Sequence, residues 1–194
     1  MKTAEFEQFL KFVEDHLSDK SDPEKIQTFI SWCKKSGIEE VILRLSSENK
    51  VGWGKNFFLD FTTSRIIVSK KKFMRKFVDM GYIAGMAPFP YMLLSKNLKL
   101  SDLRKGSVIN PEDTLGKDSS NFFIPYSQIQ EVIIRKGLES IVTNMLGSII
   151  TRNFLTVNTS SKKYDYGLPV NKNGAFEQIH YWLGVIMPVK VFAR

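Results

Sequence analysis

Hydrophobic positions change their period twice along the chain. Phe6, Phe9, Leu10, Val13 and Leu17 recur at steps of three and four, which predicts an amphipathic helix over about 3–18. Ser21-Asp22-Pro23-Glu24 follows, with a capping Ser or Asp, a Pro suited to a first helical turn, and a Glu that completes an S-x-x-E box. Ile26, Phe29, Ile30 and Cys33 form a second stripe that ends at Lys34, Lys35 and Gly37, as a helix C-terminus favours. Together these read as an N-terminal helical hairpin over 1–37.

From residue 38 the period is two. Strands are predicted at 39–45, 51–61, 64–70, 121–126, 131–136, 151–158 and 163–168, with turns at Ser46–Lys50, Thr62-Thr63 and Thr159–Lys162. Phe57, Leu59 and Phe61 alternate with Phe58, Asp60 and Thr62, so one face of that strand points inward. Residues 137–147 fit a short helix or a strand extension. Phe176, Ile179, Leu183 and Ile186 return to helical spacing, and Pro188 stops that helix. The fold class expected is α+β, mainly β: a seven-stranded antiparallel barrel or sandwich and a closing helix, with 189–194 as a tail.

A connection of about 50 residues, 71–120, interrupts the strands, far beyond the roughly 15 that an ordinary loop reaches. It divides into the basic run Lys70-Lys71-Lys72-Phe73-Met74-Arg75-Lys76, an apolar segment Phe77–Leu94, and a polar stretch 95–120 in which Pro111-Glu112-Asp113 looks like a helix start. The apolar segment has 18 residues, with Asp79 inside and Pro88 and Pro90 near its end. A spanning helix needs about 20 apolar residues without such breaks, so a hairpin packed on the protein or an interfacial loop is the expected form.

Composition sharpens this picture. The 194 residues carry 28 basic and 20 acidic side chains, a net charge of +8, with 43% hydrophobic residues and 15 Phe, 6 Tyr and 3 Trp, which excludes intrinsic disorder. Residues 1–37 sum to −1, whereas Arg65–Lys105 carries 10 basic and 2 acidic residues, a local +8. Such a field attracts phosphates of lipid or nucleic acid, or acidic protein. A lone Cys33 forms no internal disulfide, and no long apolar leader stands at the N-terminus, which together suit a cytoplasmic location.

The order of elements resembles the pleckstrin-homology-like superfold. Asp60-Phe61-Thr62-Thr63-Ser64-Arg65-Ile66-Ile67-Val68 is similar to the "L-T-x-x-R-I-I-V" strand pair of its GRAM and bacterial PH-like branches. Phe123-Ile124-Pro125-Tyr126-Ser127-Gln128-Ile129-Gln130-Glu131-Val132 is similar to their "I-P-Y-x-x-I-x-x-V" segment, and Trp182 stands where many such domains pack a tryptophan on the barrel mouth. The resemblance covers about 38–188. It implies a bent seven-stranded barrel plugged by the last helix and a binding role toward a phosphoinositide, a membrane surface or a peptide. The basic cluster of the usual headgroup pocket falls at Arg44, Lys50 and Lys55, but Asn56 and Phe57 stand where its final arginine belongs.

Catalytic chemistry finds little support. His16 and His180 lie on different predicted helices and make no metal-ligand spacing with Cys33. Gly52-Trp53-Gly54 lacks the third glycine of a dinucleotide loop, and Gly116-Lys117 lacks the rest of a P-loop. No cofactor, no metal and no catalytic residue is expected. The leading expectation is a non-catalytic module that docks on an anionic lipid surface, peripheral to the membrane, through Lys70, Lys71, Lys72, Arg75 and Lys76, with Phe73, Phe89 and Tyr91 inserting. The alternative is a protein-interaction or self-association module that uses the apolar segment and the N-terminal helices. Nucleic-acid binding, permitted by a pI of about 9.5, ranks last because the strand aromatics alternate as core residues do.

Overall fold

The structure, a computed structural model, describes residues 11, 19–49, 56–70, 110–136, 141–142, 149–150, 153–168 and 175–194. The first predicted helix apart from Lys11, the β1–β2 connection and the insertion from 71 to 109 lie outside the described residues.

Helix α1 spans Asp22–Lys35. The Glu24 carboxylate accepts from the Ser21 N–H (2.9 Å) and the Ser21 hydroxyl (2.8 Å), as the S-x-x-E spacing predicts. At the other end Gly37 adopts φ +65°, and Ile38 N–H reaches back to the Cys33 carbonyl at 2.9 Å. That bond and the Gly37-to-Lys34 contact form a Schellman cap, which needs a residue without a Cβ at Gly37.

Ten strands make two sheets among the described residues. Strands β1 (Val41–Asn49), β2 (Asn56–Thr62), β3 (Arg65–Lys70) and β4 (Phe122–Pro125) form an antiparallel meander. A 3-10 turn at Tyr126–Gln128 leads into β5 (Ile129–Lys136), which pairs with β8 (Asn153–Thr159) and through it with β9 (Lys163–Leu168). Glu48 and Asn49 of β1 pair with Gly167 and Tyr166 of β9, joining the two meanders into one sheet of order β10-β5-β8-β9-β1-β2-β3-β4. Strands β6 (Ile141–Val142) and β7 (Ile149–Ile150) form a separate two-stranded ladder. Helix α2 (Pro111–Gly116) lies along β3, and helix α3 (Ala175–Ile186) precedes the last strand, β10 (Val191–Ala193).

The architecture is α+β and mainly sheet. It departs from the expected seven-stranded antiparallel barrel in three respects. The described residues form ten strands in two sheets rather than seven in one, the main sheet is not closed, because β4 and β10 are its two ends, and β10 runs parallel to β5. Residues 191–193, which no periodicity assigns to an element, pair instead by main-chain bonds. Strand β1 also continues four residues past its predicted end, through Ser46-Ser47-Glu48-Asn49, because Phe58, Phe57 and Asn56 of β2 supply ladder partners there. Tertiary pairing overrides the turn preference of that polar run.

One core cluster is shared by both meanders and two helices. Leu43, Leu45, Leu59, Phe61, Ile66, Val68 and Ile124 of the first meander share it with Val132, Ile134, Leu155, Val157, Tyr166 and Leu168 of β5, β8 and β9. Ile26, Phe29, Ile30 and Cys33 of α1 and Ile179, Trp182, Leu183 and Ile186 of α3 fill the remainder. Tyr126 sits at the corner between β4 and β5, buried, with its hydroxyl donating to the Thr62 carbonyl at 2.7 Å. Pro125 ends the edge strand β4, a place where a missing N–H costs nothing.

Candidate functional site

The end of the sheet at which β3 leaves for the insertion is the region the sequence singles out. Lys70 is the last residue of β3 and is exposed. Its backbone N–H donates to Asn121 Oδ1 at 2.9 Å, and Asn121 Nδ2 donates to the Thr114 carbonyl at 2.7 Å. One side chain thus ties the start of the insertion to helix α2, in its last part. Lys71, Lys72, Phe73, Arg75, Lys76, Phe89 and Tyr91 lie outside the described residues.

A second tie sits at the other end of β3. Arg65 holds Glu39 in a forked pair, Nε to Oε1 at 2.9 Å and Nη2 to Oε2 at 2.6 Å, and also bonds Glu112 of α2. Its guanidinium stacks 4.6 Å from the centre of the half-exposed Phe123 ring. Thr62 and Ser64 hydroxyls donate to Glu39 Oε1 at 2.6 and 2.7 Å. Burial alone pushes the Glu39 carboxyl up, but the hydrogen bonds from Arg65, Thr62 and Ser64 outweigh it and hold the group below the usual carboxylate range. The hydrogen bond to Glu39, with Glu112 adding to it, outweighs burial and raises Arg65 further above neutrality.

Arg44, one of the three cations at the expected headgroup pocket, is already engaged. It forks onto Asp60, with Nε to Oδ1 at 2.5 Å and Nη2 to Oδ2 at 2.6 Å, and covers the Phe58 ring at 4.7 Å. The Asp60 side chain is fully buried. A guanidinium committed to a buried carboxylate does not serve a phosphate, because its departure strands that charge. Lys50 and Lys55 lie outside the described residues.

Three further titratable groups, Cys33, Glu40 and Tyr126, are buried. Burial, with Glu40 nearby, pushes the Cys33 thiol up to about 12 and makes it inert. Burial likewise raises the Glu40 carboxyl and the Tyr126 phenol. Among the described residues no group of three or more His, Cys, Asp or Glu is placed to hold a metal ion, and no helix is long and apolar enough to cross a membrane.

Sequence reasoning did not single out Glu39, Asn121 or Glu112 as partners. Arg65 reaches residues 26 and 47 positions away, which no local spacing reveals. The Arg44–Asp60 pair was readable in principle, since hairpin register sets them opposite each other on one face.

No family model matches the chain. No curated protein matches it. Among solved structures it is similar to the hSac2 domain from human phosphoinositide phosphatase Sac2, with 9% identity and a TM-score of 0.37 over 90% of this chain and 91% of that one. A likeness that low transfers neither fold nor activity from one chain to the other.

Proposed function

We propose that this protein is a non-catalytic docking module that attaches reversibly to an anionic membrane surface through the basic and apolar segment that follows β3. Lys70, Lys71, Lys72, Arg75 and Lys76 supply the charge, and Phe73, Phe89 and Tyr91 the apolar insertion. The scaffold is a pleckstrin-homology-like bent sheet, a reading supported by two antiparallel meanders joined at β1–β9 and by Trp182 packed into the shared core.

The observation that carries the reading is a division among the cations. Arg44 and Arg65, inside the sheet, are neutralised by Asp60, Glu39 and Glu112. Lys70 is exposed at the strand end, and four further cations follow it within six residues. Each basic residue at an anionic surface contributes about 1 kcal/mol, so five give a reversible attachment that salt weakens.

Co-sedimentation with phosphatidylcholine vesicles, with and without phosphatidylserine, tests this. Binding is expected only to the anionic vesicles, is lost above roughly 0.5 M salt, where the Debye length falls to a few ångströms, and is lost when the five cations become Ala. Equal binding to both vesicle types, or anionic binding that survives the five substitutions, contradicts the proposal.

A further inference from the structure

Strand β10 is held differently from the strands it joins. It has three residues and runs parallel to β5, the weaker geometry per residue. Its side chains contribute little: Val191 is half-buried against the core, while Phe192, Ala193 and Arg194 are exposed. The attachment is through the backbone. Val132 N–H donates to the Lys190 carbonyl at 3.0 Å, Arg194 N–H to the Ile134 carbonyl at 2.8 Å, and Lys136 N–H to the Arg194 carbonyl at 3.1 Å. On its outer side His180 Nε2 of α3 lies 3.3 Å from the Val191 carbonyl oxygen. The segment therefore lies in a groove between the β5 edge and α3.

The groove itself is firmly built. Val132 and Ile134 of β5 are fully buried, and α3 is anchored in the core by Ile179, Trp182 and Leu183. A sheet edge of this kind binds extended segments by main-chain bonds, and the side-chain positions choose among them. The Val191 position selects an aliphatic residue. The Arg194 position is served poorly by its present occupant. The two backbone bonds at Arg194 bracket Arg135, so two arginines are neighbours across the ladder. Arg135 Nη2 reaches Thr156 at 3.1 Å and stands 3.6 Å from the Asp165 carboxylate, but its Nε is buried with no hydrogen-bond acceptor. A carboxylate in place of Arg194 sets opposite rather than like charges on neighbouring positions of the ladder.

We infer that the groove between β5 and α3 is an acceptor site for an extended segment of a partner protein, with an aliphatic residue followed three positions later by an acidic one, and that β10 is the internal occupant which this segment displaces. This inference does not depend on the proposed membrane-docking role.

Fluorescence anisotropy on the full chain tests this with two labelled peptides. Both carry Gly/Ser flanks, and their centres are Lys-Val-Phe-Ala-Glu and Lys-Val-Phe-Ala-Arg. Phe192→Pro removes a donor whose register aims it at β5 and so weakens the internal competitor. This variant is expected to bind the Glu peptide at least ~10-fold more tightly than the unaltered chain, because a tethered competitor acts at a local concentration near millimolar. It is expected to prefer the Glu peptide over the Arg peptide by ~5-fold or more, a preference that Arg135→Met abolishes. A disulfide lock, Ile133→Cys with Phe192→Cys on facing positions, is expected to abolish binding when oxidised and restore it when reduced. Absence of binding by Phe192→Pro, equal affinity for the two peptides, or binding that persists in the oxidised lock overturns the inference. Should Phe192→Pro lose its circular-dichroism signature, the oxidised and reduced forms of the lock decide the matter by themselves.

Discussion

The β1–β4 meander and the β5–β8–β9 sheet carry polar groups on the faces turned away from the core, but they treat them differently. On the first, Arg44 is matched to Asp60 by two bonds, with 20% and 0% side-chain exposure, and Arg65 is gripped by Glu39 and Glu112. On the second, Arg135, Thr156, Asp165 and Lys163 form a looser cluster. Thr156 donates to Asp165 at 2.5 Å, but Arg135 and Lys163 stand 3.6 and 3.3 Å from that carboxylate, and Arg135 is 40% exposed. Charge in the first region is consumed in holding strands together, while the second keeps a donor in reserve at its edge. A basic residue is thus a poor indicator of a binding site until its partners are known.

The largest effect is expected at Asp60. Arg44→Met leaves a buried carboxylate without its counter-ion and is expected to lower stability by about 3–5 kcal/mol in urea unfolding. Arg44→Met combined with Asp60→Leu is expected to recover most of that loss. A double variant no more stable than Arg44→Met contradicts the pairing.

Glu39 gives the next effect, together with a pH signature. Its carboxyl is held below the usual range in the folded state, so its contribution is fully present above the unfolded value near 4.5. That contribution disappears as pH falls through the lower folded value. Glu39→Gln is expected to cost about 1–3 kcal/mol at neutral pH and to flatten this acid limb of the stability curve. A limb unchanged in the variant assigns the acid sensitivity to another group.

The smallest effect belongs to the second region. Arg135→Met is expected to change stability by less than about 1 kcal/mol, because its ion pair is long and solvent screens it. A loss as large as that of Arg44→Met removes the distinction between the two faces.

Periodicity and capping made much of this molecule legible. The Ser21–Glu24 box, the Gly37 stop, the Asp60–Val68 strand pair with its tight turn and the α3 stripe all depend on residues within a few positions of one another, and each took the form their spacing predicts. Strand β10 escaped because Val191-Phe192-Ala193 has no alternation to betray it and is held by backbone atoms, which carry no residue identity. The extension of β1 through Ser46–Asn49 escaped because only β2, across the hairpin, makes that polar run a strand. For the candidate site, the basic run was visible in composition. The Arg44–Asp60 pair follows from hairpin register once β1 and β2 are aligned, whereas the commitment of Arg65 depends on which distant carboxylates the folded sheet brings beside it.

The central claim is that paired arginines build the scaffold while the lysine-rich run starting at Lys70 docks it. Titrating phosphatidylserine vesicles against the wild type and the variant with Ala at positions 70, 71, 72, 75 and 76, with urea unfolding of both, tests it most directly. The account predicts vesicle affinity reduced at least ~100-fold, in line with about 1 kcal/mol per cation, and an unchanged unfolding midpoint. Retained affinity, or affinity lost only together with the fold, contradicts it.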